Sequence, residues 1–547
     1  MKNSFLLLAT ALAHTPLFAA EPTLSLQRLS TISNGNPADL FAQSAAEIVK
    51  FDPVTQRMFV VNGATNSIDI FNAANPAVPV FIESVDLTAY GNPNSVDINP
   101  IAKANEIAVA VGADDVTQRG RVVFLTKDGD LLGQPVQVGY LPDMLTYDAK
   151  GKTVLVANEG ESNADYSIDP EGSVSIISIN GSKRTHSEVT FTHLTREDLP
   201  GVRITGPEGT TVAQDLEPEY IAIEGNIAFV TCQENNAVAK IDIGKKMVLA
   251  IMPLGSINHG ELGNAIDASD RDFDGTSGGG GIIRIANWPI SGLLMPDAIA
   301  TYTAPLGDGS KKRGTYFVTA NEGDARERIV GDVTHYLDES RLSSRTLDPS
   351  AFPLGVELKK AINIGRLNIV NTEGKIDSTS THEQLFSFGT RSFSIFDDKG
   401  TMVFDSGAMI ETYIAENYPT AFNSNHEEGP SMDNRSDNKG SEPEAVEIGV
   451  INGRTYAFIG LERFSGIFVC DITDPSEVTF AGFGINRDFS VTYAPNNLTN
   501  VANAGDLGPE GLDFVPADKS PNGQPLLVVA NEVSGTTTIY QIGSVID

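Results

Sequence analysis

Two short signatures recur in pairs along this chain, and they limit its fold more than any other feature. The first is Pro followed by an acid at the start of an apolar strand, as in "LPDMLTYD" (141–148). The second is Asn-Glu or a variant closing the next strand, as in "VLVANEG" (154–160). The couple returns as "EPEYIAIE" with "AFVTCQEN", "MPDAIATY" with "YFVTANEGD", "EPEAVEIG" with "YAFIGLER", and "GPEGLDFV" with "LLVVANEV". Looser copies come earlier, as "AAEIVKFD" with "FVVNGA" and "NPNSVDIN" with "IAVAVGA". Each copy is followed by a third strand-like run, and six have a fourth, such as "PVFIESVDL" (79–87), "MVLAIMPLG" (247–255) and "MVFDSG" (402–407).

Short β-branched and aromatic runs separated by Gly, Asn, Asp and Pro read as all-β. A repeat of one supersecondary unit means that each unit buries its faces against its neighbours. The last copy reaches Asp547 after three strands, while "LSLQRLSTI" (24–32) is a strand to spare before the first. The expectation is therefore a seven-bladed β-propeller over residues 21–547, closed by its N-terminal strand. Three polar excursions interrupt it: 256–292 before blade five, 324–383 within it, and 408–440 after it. Loops of that length in a compact domain are functional or disordered.

Composition fits a globular chain of this size, with 41% hydrophobic and 20% charged residues. Charge is the outlier: 71 Asp and Glu against 38 Lys and Arg give a net charge of −33. Such a surface repels nucleic acid and anionic lipid, so neither is expected as a partner. Residues 1–20, "MKNSFLLLATALAHTPLFAA", have the charged start, short apolar run and small-residue end of an export signal. No Cys follows to carry a lipid, and no later run is long enough to span a membrane. An exported, periplasmic or extracellular monomer without a transmembrane anchor is expected. Cys232 and Cys470, the only cysteines, lie in buried-looking strands and fit free thiols better than a bridge.

In a propeller the Pro–acid couple opens each innermost strand at one channel mouth, and Asn-Glu ends the adjoining strand beside it. Glu47, Asp143, Glu219, Asp297, Glu444 and Glu510 would ring that mouth, with Asn94 standing in at blade two. Glu159, Glu234, Glu322, Glu462 and Glu532 would form a second set. Any one of these acids can cap a strand turn. Gathered together, they repel one another unless cations or hydrogen bonds offset the charge. Oxygen ligands suit Ca²⁺, with Mg²⁺ as the other option. The scattered His and absence of a Cys cluster do not suit zinc. In "DRDFDG", Asp270, Asp272 and Asp274 alternate before Gly275 like half an EF-hand loop, although Gly281 stands where its bidentate Glu belongs.

Arg326, Arg391, Arg435 and Lys439 fall in the same regions, and an arginine fork beside a metal suits phosphate esters. No nucleophile elbow, P-loop or dinucleotide fingerprint is present.

The strings "DASDRD", "NWPISGLLMPDAIATY", "VTANEGDARE", "SFGTRSFSIFD", "NRSDNKGSEPE", "YAFIGLER" and "GDLGPEGLDFVP" together resemble the choice-of-anchor I family of exported bacterial proteins. The resemblance covers nearly all of the chain after the leader. It implies a YVTN/WD40-like propeller, and some members are labelled alkaline phosphatase-like. The family name marks a domain joined to varied C-terminal anchors; this chain ends at "QIGSVID", which resembles a freely exported member. It departs from the pattern in "FDGTSGGG" after "DASDRD", and in Cys232-Gln233 where "AN" is usual.

Two functions follow as expectations. One is a metal-dependent phosphoesterase acting on a small anionic ligand. Glu322, Asp324, Arg326 and Arg435 would serve catalysis, with metal held among Asp297, Glu159, Glu219, Glu444, Glu510 and the Asp-rich loop. The other is a non-catalytic propeller that binds a ligand or partner and carries structural calcium.

Overall fold

A computed structural model describes residues 23–275, 281–306, 312–376 and 379–545. The expected export signal at 1–20 lies outside these residues. The described chain is all-β in plan, and its sheets are four-stranded antiparallel blades of a β-propeller. Seven such sheets are present among the described residues. The first runs Val49–Asp52, Arg57–Asn62, Ser67–Asn72 and Val80–Asp86. The fifth runs Ile299–Pro305, Arg313–Ala320, Phe393–Asp397 and Met402–Asp405. In the seventh, Pro509–Val515, Leu526–Asn531 and Thr536–Ser544 are joined by Leu24–Ile32, which pairs antiparallel with the last of them.

The two middle strands of each sheet are largely apolar because both of their faces are buried between sheets, whereas outermost strands such as Val80–Asp86 and Lys183–Thr190 are mostly exposed. In Arg57–Asn62, alternate side chains point to opposite faces. Phe59 and Val61 pack against Val96, Val109 and Val123 of the second sheet. Met58 and Val60 turn the other way, against Val515, Val528 and Ile539 of the seventh. Equivalent layers join every pair of successive sheets. At the mouth the seventh sheet approaches the first so closely that a Cβ on Gly511 would lie 2.6 Å from the carbonyl oxygen of Glu47.

The excursions are folded. Ile266, Trp288 and Ile290 of the first share a small core with Leu342, Phe352, Ile364, Leu367 and Ile369 of the second. The third holds a helix, Met409–Asn417, whose Ile410 and Ile414 pack into the layer between sheets five and six. Cys232 and Cys470 are buried and unpaired. No helix among the described residues is long and apolar enough to cross a membrane.

Candidate cation site at the channel mouth

The Pro–acid couple works through a β-bulge. Pro142 pairs with Asn158 and Leu145 with Val156, so the first strand spends one residue more than its neighbour. The same shift occurs between Pro443 and Val446 and between Pro509 and Leu512. A bulge bends a strand and re-aims its side chains; here it lies at Asp143, Glu444 and Glu510. In four copies the residue before the Pro is left-handed, with φ of 44° at Leu141, 45° at Met295, 54° at Glu442 and 69° at Gly508. Its carbonyl accepts the backbone N–H of the Asn-Glu acid or the residue after it: Glu159 to Leu141, Gly323 to Met295, Glu462 to Glu442, Glu532 to Gly508. The two signatures thus fix each other's backbone at the mouth.

The Asn of the second signature faces inward. Asn321 is fully buried and its amide donates to Thr390 and Ser392, just before the third strand, and to Ser394 within it, at 3.1, 3.3 and 2.8 Å. Asn158 binds Ser173 and Ser175 in the same way.

The acids converge. Asp297, Glu444 and Glu510 each place a carboxylate oxygen within 4.8 Å of the other two. Burial raises the pKa of all three well above the usual range, and neighbouring acids add to it: Glu322 and Asp143 on Asp297, Glu462 and Glu510 on Glu444, Glu532 and Asp297 on Glu510. Glu47, Glu159 and Glu219 are raised well above normal by the same combination, and Asp143 to about 6. One oxygen each of Glu219, Glu234 and Glu444 is buried without a hydrogen-bond partner. Glu219 and Glu234 are only 8% and 7% exposed. At blade two, Asn94 donates to the carbonyl of Pro142 at 3.0 Å, a bond an ionised acid could not make.

A second trio, Glu322, Glu442 and Glu462, is equally tight but brings its own positive charge. Lys439 bonds Glu322 and, at 2.6 Å, the carbonyl of Gly323, and lies 3.2 Å from Glu442. Arg463 reaches Glu442 and Glu462 at 3.2 and 3.3 Å. Burial acts to raise Glu442, yet Arg435, Lys439 and Arg463 together hold it well below the usual range.

The residues expected to act on a substrate are therefore placed as follows. Glu322 lies at the mouth with both oxygens bonded, one to Lys439 and one to Gln233. Asp324 is exposed beside it. Arg326 is buried away from the trios, bonding Asp215 at 2.9 Å and Glu217 at 2.7 Å. Arg435 is paired with Glu442. Arg391 is buried and bonds Glu411 and the carbonyls of Ser436 and Asn438. Asp270 of the Asp-rich loop is taken by Arg366, at 2.6 and 3.0 Å, while Asp272 is buried and Asp274 exposed. These three aspartates are not among the converging groups of the described residues.

Sequence reasoning missed Glu217 and Glu442, the first acids of the two "EPE" strings, which hold the basic residues of the insertions. It also missed a second level in the channel. Three positions beyond the mouth residues stand Lys50, Asp97, Thr146 and Glu447, at a cavity of about 720 Å³ also lined by Tyr220, with Asp513 beside Lys50. There Lys50 lies 3.5 Å from Asp513, and burial raises Glu447 to about 7 against the pull of Lys50.

The fold and mouth define a β-propeller whose channel entrance is lined with more carboxylates than its own basic residues offset. The profile of the choice-of-anchor I domain matches residues 47–475, and the chain belongs to that family. It is 30% identical over 190 residues to gigasin-3a of Magallana gigas, covering 33% of this chain and 64% of that one. It is 28% identical over 335 residues to a mesenchyme-specific cell surface glycoprotein of Strongylocentrotus purpuratus, covering 54% and 40%. The chain thus spans less than two thirds of either relative. Among solved structures it is similar to Kuenenia stuttgartiensis hydrazine synthase, with TM-score 0.43, 11% identity and coverage of 91% and 96%. It is also similar to the β-propeller domain of Myceliophthora thermophila Cps50 (Swd1), with TM-score 0.39, 7% identity and coverage of 94% and 99%.

Proposed function

We propose that the chain is an exported, non-catalytic β-propeller domain whose channel mouth holds a hard divalent cation, Ca²⁺ before Mg²⁺. The cation completes a surface for a ligand or partner. Its ring is read as seven blades closed by Leu24–Ile32. The observation that carries the cation is the trio Asp297, Glu444 and Glu510, together with the buried, unpartnered oxygens of Glu219, Glu234 and Glu444. An unpaired buried acid is costly, and the charges acting most strongly on Glu444 and Glu510 are all carboxylates. Oxygen-only donors suit a hard cation, and calcium accepts irregular carboxylate sets more readily than magnesium with its strict octahedron.

The non-catalytic reading rests on the basic residues. A free guanidinium or ammonium beside the metal would help bind a phosphate ester, and Arg326, Arg435, Arg463 and Lys439 are each engaged with carboxylates instead. Export is in keeping with the leader-like start of the sequence and with a relative described as a cell surface glycoprotein. The test combines melting with turnover. Calcium should raise the melting temperature of the wild type relative to chelator, and raise it much less for Glu444→Gln/Glu510→Gln. Chromogenic phosphomonoesters and diesters should not be turned over. Calcium-dependent turnover, or no calcium effect on melting, overturns the proposal.

A further inference from the structure

A second cluster of acids lies away from the mouth, where two insertions meet. Asp267 and Asp272 belong to the excursion at 256–292, and Asp433 to the one at 408–440. They are 1%, 8% and 1% exposed. Asp272 Oδ1 accepts the N–H of Ile282 at 2.8 Å, but its Oδ2 is buried without a partner. Asp433 Oδ1 accepts from Ser436 at 2.5 Å, and its Oδ2 is likewise buried and unpartnered. The fully buried Asn423 donates to that same Ser436 at 2.9 Å, and its own Oδ1 has no partner. The guanidinium groups of Arg391 and Arg284 lie near Asp267 and Asp272 and partly offset their charge, while making their hydrogen bonds to other groups. Arg391 bonds Glu411 and backbone carbonyls, and Arg284 bonds the carbonyl of Ile362.

The position of Asp433 supplies what the Asp-rich loop lacks. In a loop counted from Asp270, residue 281 is the twelfth, where an EF-hand carries its bidentate acid. That residue is Gly281, and a Cβ on it would lie 1.3 Å from Asp433 Oδ2. The carboxylate of Asp433 therefore fills the space of the missing side chain, from a segment far along the chain. Only Gly at 281 leaves room for it.

We propose that Asp272 and Asp433, with Asp267 beside them, hold a hard divalent cation that ties the 256–292 insertion to the 408–440 insertion. The ligand set is not the run Asp270, Asp272 and Asp274, because Asp270 is spent on Arg366. The alternative to a cation is protons. Burial, with Glu411 acting on Asp267 and Asp267 acting on Asp433, raises Asp267 to about 8 and Asp433 to about 9. A divalent ion would displace those protons at neutral pH.

The single tryptophan of the chain gives a direct probe. Trp288 belongs to the same insertion, and its indole N–H donates to the carbonyl of Ile266, the residue before Asp267. Terbium bound here should luminesce on tryptophan-selective excitation of the wild-type full chain, and calcium should displace it. Asp433→Asn and Asp272→Asn should each lose that emission and bind one calcium fewer per chain by equilibrium dialysis. Glu444→Gln/Glu510→Gln should keep the emission while losing the mouth ion, so failure at one site is distinguishable from failure at the other. The wild-type signal needs no folded variant. No calcium-displaceable tryptophan-sensitised emission in the wild type, or unchanged emission and calcium count in folded Asp433→Asn, overturns the proposal and leaves protons as the occupants.

Discussion

Gln233 Nε2 donates a 2.9 Å hydrogen bond to Glu322 Oε2, while Lys439 bonds the other oxygen of the same carboxylate. Glu322 is thereby satisfied on both sides, and the internal ammonium of Lys439 stands where a metal would otherwise be drawn by Glu322, Glu442 and Glu462. The neighbouring trio, Asp297, Glu444 and Glu510, has no such ammonium of its own. One propeller mouth thus contains two tight acid trios, one balanced by ammonium and guanidinium groups and one in which only Asp297 feels Lys439.

Lys439→Met tests the internal cation. Removing one partner of a buried ion pair leaves the other charge unpaired, a loss of about 3 kcal/mol. Urea melts in chelator should show that loss, and calcium should restore part of it as an ion enters beside Glu322 and Glu442. A melt unchanged from wild type would mean that Lys439 is not balancing these acids.

The acids also set a pH dependence. Asp143, Asp267 and Asp433 are raised to about 6, 8 and 9 in the folded chain, above their unfolded values near 4. Between those limits the native state binds more protons than the unfolded state, so stability falls as pH rises. Chelated protein should melt higher at pH 5 than at pH 8. Calcium, which binds the ionised form, should raise the melting temperature more at pH 8 than at pH 5. Differential scanning calorimetry at the two pH values reads both effects.

Asn321→Ala separates scaffold from site. The amide of Asn321 joins three hydroxyls in a dry interior, and losing it should cost about 2 kcal/mol. Because the side chain points into the sheet, calcium affinity at the mouth should stay within about twofold of wild type where the variant remains folded. Urea melts and calcium titration check the two halves.

The repeat was legible because it is local. Apolar runs, Pro–acid starts and Asn-Glu ends fall within one supersecondary unit, and the sheets follow them strand by strand. The paired roles in "EPE" were less visible: Glu217 turns to Arg326 while Glu219, two residues on, faces the channel. Arg326 looked like a ligand because it follows "ANEGDA". The chain turns away at Gly323, with φ of 84° and a Cβ position only 2.0 Å from the Gly389 nitrogen, and Arg326 goes to Asp215 instead. Lys50 and Asp513 were hidden for a different reason. They lie in strands near opposite ends of the chain, and only the packing of the seventh sheet on the first brings them together. No spacing rule connects Asp433 to Asp272, since their meeting depends on how two insertions pack.

Calorimetric titration of metal-stripped protein with calcium tests the cation at Asp297, Glu444 and Glu510 most directly. Wild type should show a class of site that Glu444→Gln/Glu510→Gln lacks, with the folded variant otherwise melting like the wild type in chelator or higher. Identical isotherms for the two proteins, or no calcium binding by the wild type, would contradict it.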